Sequence, residues 1–255
     1  MAELVQLARD VPRAGCWRLT LDDPANANAL SPALVERLRA ALEDALAADA
    51  RAIVLDGGGG RFCGGFDLRD VERVDDGELR ARFVAVEELL ETVRRAPAVT
   101  IAVVRGAALG AGADLVAACD YRIGTDAARF AFPGARFGVV LGTRHLAAIV
   151  GRQAALEAVV EGRTLDPQRA AACGLLTEIC AEEALGGRID DIVRRSEAVD
   201  AATLRAVLRL TRDAASDRDR SELLASVSRP GLAERIREHA RRVHEERSAR
   251  RASAR

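Results

Sequence analysis

Two spacings of apolar residues run through the first half of the chain. Residues 3–9 and 15–22 alternate in the manner of short strands, and Pro12-Arg13-Ala14-Gly15 between them has turn chemistry. A polar loop follows, Asp22-Asp23-Pro24-Ala25-Asn26-Ala27-Asn28, and Ser31-Pro32 then opens a helix. Serine supplies an N-cap oxygen, and proline suits the first helical position because its missing N–H would have no partner there. Leu34, Leu38, Leu42 and Leu46 recur every fourth residue, which predicts one apolar helical face reaching to about residue 48.

Arg51 to Asp56, RAIVLD, reads as a buried strand ended by Gly57 to Gly60. The spacing predicts a second helix over 78–95, stopped by Pro97, and an apolar strand over Val99 to Val104. Gly106-Ala107-Ala108-Leu109-Gly110-Ala111-Gly112 leads into a helix through Asp114 to Ala118. Tyr121 to Gly124 and Arg129 to Phe132 are short strands. From about residue 142 the pattern is mostly helical, and residues 201–247 form an Arg-, Glu- and Ala-rich helical tail with few large apolar side chains. Ser248 to Arg255 is expected to be disordered. Strands alternating with helices define an α/β class of stacked βα units. No repeat and no Pro-, Gly- or Ser-rich linker interrupts the chain. The expected organisation is a core over residues 1–195 and a C-terminal helical region over 196–255.

Composition narrows the function. Of the 255 residues about half are hydrophobic, enough for a substantial core, and the formal net charge is -1. That balance argues against nucleic acid as a partner, since its binders usually carry a net basic domain or stripe. All 38 basic residues are arginine. Schiff-base and lysine-base chemistry are therefore excluded, and any phosphate clamp must be arginine or backbone amide. The five cysteines, Cys16, Cys63, Cys119, Cys173 and Cys180, form no CxxC pair. They suggest neither a disulfide framework nor a metal site, and no metal is expected. Reduced thiols, with no secretory leader pattern at the N-terminus, lead to the expectation of a cytoplasmic protein. No apolar stretch is long enough to suggest a membrane span.

Two glycine-containing junctions between strand and helix stand out: Arg61-Phe62-Cys63-Gly64-Gly65-Phe66-Asp67-Leu68, and Gly106 to Asp114. Glycine allows the backbone to approach a ligand closely, and a helix N-terminus at the second junction adds its positive dipole end. Two amides aimed at one carbonyl oxygen make an oxyanion hole; two ordinary tight loops would have the same composition. Neither the dinucleotide-binding GxGxxG nor the phosphate-binding GxxxxGK[ST] pattern is present.

Five segments, in order, resemble the crotonase (enoyl-CoA hydratase/isomerase) superfamily. Pro24 to Ser31 is similar to the family's "LNALS" loop. Arg51 to Leu68 is similar to "RAVVLTG…FCAGADL", and Arg105 to Ile123 to "NGAALGGGLELALACDLRI". Ala128 to Val139 is similar to "ARFGLPEVKLGL", and Gly151 to Thr177 to the helices that follow in the family. The likeness covers about residues 15–180. It implies a ββα superhelix core with a C-terminal helical trimerisation region, an acyl-coenzyme A thioester as ligand, and coenzyme A as part of the substrate rather than a separate cofactor. It also implies a homotrimer or a hexamer built as a dimer of trimers.

Carried over residue by residue, the resemblance implies an oxyanion hole formed by the amides of Phe66 and Ala111. It places the coenzyme A moiety along Ala25, Asn26, Ala27, Gly65, Asp67 and Leu68, with Arg69 next to them either meeting a phosphate or solvated. Leu109, Gly110, Pro133, Gly134 and Leu141 fall at the acyl pocket. The first of the two glutamates with which the family's hydratases handle water corresponds to Asp114. The second corresponds to Gly134 and is absent, which weakens standard hydratase or isomerase chemistry. Asp114 either transfers protons or only complements the dipole of its helix. The following family segment is shortened to Leu141-Gly142-Thr143-Arg144-His145-Leu146. Its Thr143, Arg144 and His145 stand as replacements for missing functional groups, with His145 otherwise on a helix surface or at a subunit contact. Cys63 reads as a small buried filler and Asp120 as structural. The expected function is therefore an acyl-CoA lyase or isomerase with one retained carboxylate; a non-catalytic acyl-CoA-binding protein and an assembly scaffold are the alternatives.

Overall fold

A computed structural model describes residues 4–212 and 216–253. β1 (Val5–Arg9) pairs antiparallel with β2 (Cys16–Leu21). Helix α1 (Pro32–Ala47) then crosses to β3 (Ala52–Gly57), which runs parallel to β2. The cap of α1 is the one its sequence calls for: Ser31 Oγ accepts the Leu34 amide at 3.2 Å, with Pro32 at the first position. Leu34, Leu38 and Leu42 are fully buried.

Helix α2 (Asp76–Arg95) begins two residues before the apolar periodicity does, because the Asp75 carboxylate accepts the Glu78 amide at 2.8 Å and caps it. β4 (Val99–Val104) lies parallel to β3, and both strands are buried along their whole length. Burial on both faces is why they read as continuous apolar runs rather than alternating ones. β5 (Ala107–Leu109) leads directly into the short helix α3 (Ala111–Ala117). β6 (Tyr121–Gly124) extends the main sheet, while β7 (Arg129–Ala131) pairs with β5 in a separate two-stranded sheet.

α4 (Thr143–Val159), kinked at Gly151, and α5 (Pro167–Ala172) precede β8 (Glu178–Ile179). The main sheet has the order β1-β2-β3-β4-β6-β8. α6 (Leu185–Glu197), α7 (Ala201–Thr211), α8 (Ser216–Val227) and α9 (Leu232–Ser253) complete the chain. Where the sequence suggested a disordered end from Ser248, α9 continues through Ser253. The last two residues lie outside those described.

Arginines tie the helical region to the core. Arg212, at the end of α7, pairs with Asp120 at 2.6 Å and donates to the Ala98 carbonyl at 2.9 Å. Asp120 also accepts the Thr100 amide and hydroxyl, so its role is structural. Arg144 on α4 pairs with buried Asp219 on α8 at 2.8 Å. The Asp76 carboxylate accepts the amides of Gly231, Leu232 and Ala233, which caps α9 and fixes where that helix starts. A cluster of Val71, Leu79, Phe83, Phe137, Val139, Leu223, Leu232 and Ile236 joins α2, α8 and α9 to the turn after β7. Among the described residues, no helix is long and apolar enough to cross a membrane.

Candidate active site

The two glycine-bearing junctions meet. Cys63 bridges to Ala108, and the Leu109 amide donates to the Cys63 carbonyl at 2.9 Å. Gly65 has a φ of +91°, and a Cβ there would sit 2.4 Å from the Leu109 carbonyl oxygen and 3.6 Å from the Ala111 nitrogen. Only glycine allows this approach, and the approach brings the Phe66 and Ala111 amides to one place. Around them the backbone donors are used: Leu30 N to Gly65 O, Gly64 N to Ala27 O, Gly110 N to Ala131 O, Asp114 N to Gly110 O. Among the described residues, the Phe66 and Ala111 amides donate to no protein acceptor. Phe66 is half-buried and Ala111 is the first residue of α3, where an N–H has no partner within the helix, so both amides are open to an acceptor in the adjoining space.

Both residues line a cavity of about 230 Å³. Of the residues expected at the site, Gly65, Phe66, Leu68, Leu109, Gly110, Ala111, Asp114, Pro133, Gly134 and Leu141 all line it. Ala25, Asn26, Ala27, Asp67 and Arg69 do not. Ala27 lies behind Gly64, and the Asn26 amide group is bound by the Asp23 carboxylate. The loop is held from beneath by buried Asn28, whose amide group donates to the Gly58 and Arg61 carbonyls and whose oxygen accepts the Asp23 amide. Arg69 is half exposed, and its guanidinium is engaged by Asp67 at 2.7 Å. The Phe66 ring stacks on Phe83 of α2, centroids 4.0 Å apart and 9° from parallel, so it forms wall rather than cover.

Asp114 occupies the first turn of α3 and is 6% exposed. Its carboxyl makes no hydrogen bond within the protein among the described residues, and Gly142 packs directly on it, since a Cβ there would lie 2.5 Å from an Asp114 oxygen. Burial drives its pKa well above the ordinary carboxylate value; the neighbouring Glu87 charge adds to the rise and Arg94 opposes it. The shift favours the protonated form of Asp114, the state of a proton donor. Glu87 and Arg94 form a buried ion pair within α2. Desolvation also raises the Glu87 pKa, with Arg94 acting against it. The sequence pattern did not mark this pair, because two charged residues seven apart on a helix look like any solvated face.

His145 replaces nothing in this cavity. Its Nε2 lies 2.9 Å from the Ala117 carbonyl oxygen at the end of α3, and burial pushes its pKa down. It faces a different, larger cavity of about 1060 Å³ shared with Arg94, Asp120 and Arg212. His145 is half-buried, with its Nδ1 buried and unpartnered among the described residues. Thr143, by contrast, does line the cavity that Asp114 lines. Cys63 is fully buried, and desolvation pushes its thiol up to about 12, so it is an inert filler. The carboxylate missing at Gly134 is not restored by a neighbour on the Pro133–Phe137 turn. The cavity also includes residues that the sequence did not mark, among them Phe83, Phe132, Arg136, Phe137, Val139, and from α9 His239 and Val243. No group of three or more His, Cys, Asp or Glu able to hold a metal occurs among the described residues.

A superhelical α/β core that brings two partnerless amides together above a buried carboxyl is the architecture of the crotonase superfamily. The sequence profile of the enoyl-CoA hydratase/isomerase family matches residues 12–226, and the chain belongs to that family. It is 33% identical over 187 residues to "Enoyl-CoA hydratase domain-containing protein 3, mitochondrial" of Danio rerio, covering 72% of this chain and 65% of that one. The Homo sapiens protein of the same name is 32% identical over 71% of this chain and 61% of its own. The chain thus spans somewhat under two thirds of these relatives. Among solved structures, a Bordetella parapertussis protein assigned as an enoyl-CoA hydratase/isomerase superposes with a TM-score of 0.90 at 36% identity, over 94% of this chain and 99% of that one. The expected cytoplasmic location is overturned by the relatives, whose names place them in mitochondria. Free thiols and a missing secretory pattern speak to redox state and secretion, not to the compartment.

Proposed function

We propose that the protein is an enzyme acting on acyl-CoA thioesters, a lyase or isomerase of fatty acid metabolism. The thioester oxygen is held by the Phe66 and Ala111 amides while negative charge develops on it, and Asp114 moves the proton. The observation that carries this reading is the pair of partnerless amides facing the same cavity as a buried carboxyl with no hydrogen bond inside the described protein. Donors fixed in advance where charge develops are worth roughly 3–4 kcal/mol each. The coenzyme A portion runs past Ala25, Asn26 and Ala27 on one side and Asp67, Leu68 and Arg69 on the other. It enters as part of the substrate, with no separate cofactor, nucleic acid or membrane involved. A non-catalytic acyl-CoA-binding protein is the second reading, favoured by the loss of the family carboxylate at Gly134.

The test is a panel of acyl-CoA thioesters, including crotonyl-CoA, with binding followed by calorimetry and products by mass spectrometry. Binding with turnover of at least one thioester is expected. Binding without product across the panel would move the protein to the second reading, and no binding at all would sink both.

The same family reading includes assembly into a homotrimer or a hexamer. Val207 and Leu210 on α7, and Leu156 and Val160 near the end of α4, leave apolar side chains exposed, with Leu210 at 80%, which supports a subunit contact. Light scattering is expected to give a multiple of three times the 27.2 kDa chain; a monomer mass would refute it.

A further inference from the structure

His239 is a feature of the cavity that no part of the reading above uses. It is carried by α9, far along the chain from both oxyanion loops, yet it lines the same 230 Å³ space as Asp114, Phe66 and Ala111. It is 8% exposed, and neither ring nitrogen is hydrogen-bonded to another described residue. Neither nitrogen is used among the described residues and neither is sealed off from the cavity, so both are available to a molecule bound there.

Its placement is set by contacts along α9. The Asp76 cap fixes the start of α9. Arg237 donates to the Val71 and Val74 carbonyls at 3.0 and 2.9 Å, and Arg235 to the Phe137 carbonyl at 3.1 Å. The imidazole packs on the Phe137 ring, centroids 4.7 Å apart. Phe137 ends the turn that begins Pro133-Gly134, so His239 stands against the very turn whose family carboxylate has become glycine.

We infer that His239 is the second proton-transfer group of the site, and that together with Asp114 it makes the cavity competent to add water across the α,β double bond of an enoyl thioester, or to remove it. The inference rests on the acyl-CoA reading above. In the direction of addition, His239 accepts a proton from water as the water oxygen bonds to the β-carbon. The double-bond electrons move onto the thioester oxygen, where the Phe66 and Ala111 amides hold them. Asp114 then gives its proton to the α-carbon as the thioester carbonyl re-forms. The imidazolium returns a proton to the Asp114 carboxylate, and the net change is one water added.

The protonation states fit these roles. Burial lowers the His239 pKa; the Arg242 and Arg136 charges lower it further and Glu246 opposes them. Its ring is neutral at pH 7 and can act as a base. Asp114, lining the same cavity, is shifted the other way, which favours its neutral acid form. Two groups whose surroundings drive their pKa values apart can divide acid and base work between them.

The experiment compares wild type, His239→Gln and Asp114→Asn on crotonyl-CoA, with binding by calorimetry, turnover by product analysis and folding by thermal melting. His239→Gln is expected to lose turnover by about 10²–10⁴-fold with thioester affinity nearly unchanged. If it keeps turnover within about tenfold while Asp114→Asn is dead, this proposal falls and the one above stands. A wild type that neither binds nor converts any thioester removes the reading above, and this one with it. Should His239→Gln fail to fold, the wild-type pH profile decides. An acid-side loss of kcat/KM below the ordinary histidine range supports the proposal, and a profile with no acid-side loss at any pH at which the protein stays folded overturns it.

Discussion

Asp114→Asn is expected to abolish turnover while leaving thioester binding intact, and at the same time to stabilise the protein. Asparagine keeps the volume of the side chain but cannot give up a proton to carbon, so the loss should be about 10²–10⁴-fold in kcat with little change in affinity. The stability effect follows from the direction of the pKa shift. In the folded protein the carboxyl is held protonated well above its ordinary range, while in the unfolded chain it ionises near pH 4. Above that pH the folded state binds the extra proton, so stability falls as pH rises, until the pH passes the raised folded value. Each unit of upward shift costs about 1.4 kcal/mol. The variant has nothing to ionise and escapes this decline. It should therefore melt higher than wild type at pH 8, at roughly 2–4 °C per kcal/mol recovered, and the two should converge towards pH 4. Melting curves across that range check it. A variant that melts lower than wild type at every pH would show that Asp114 is held by partners it needs ionised.

Gly65→Ala is expected to disable the site through the backbone. The residue is at φ +91°, where an L side chain is strained, and the new Cβ would press to 2.4 Å from the Leu109 carbonyl. Relief requires either the 109–111 segment or the 64–66 segment to move, and each carries one of the two amides proposed to hold the thioester oxygen. Displacing one donor should lower kcat by about 10²–10³-fold, and the strain should cost about 1–3 kcal/mol of stability. Gly60→Ala is the matched control. That residue is also at positive φ, +72°, but nothing lies within 4 Å of an added Cβ. It should lose comparable stability and keep its kcat. Equal loss of activity in both variants would show that general destabilisation, not donor geometry, is responsible.

The sequence by itself determined the local elements and the parts of the site that lie on them. The leucines at 34, 38 and 42, the cap at Ser31, and the unbroken apolar runs of β3 and β4 are each set by neighbours within a turn or a strand length, and they read correctly. The glycine junctions at 64–65 and 106–112 and the position of Asp114 were legible for the same reason, because close backbone approach and a helix start require particular residues in order. Only the tertiary structure decided which distant groups share a cavity. It turned His145 towards the Ala117 carbonyl, closed Arg69 onto Asp67, buried the Glu87–Arg94 pair behind Asp114, and set His239 from α9 against the turn that carries Gly134. A lone histidine on a charged helix carries no periodic signal for what it meets. That outcome depends on how α9 docks, which the Asp76 cap and the apolar cluster around Phe83 and Phe137 settle once the chain has folded.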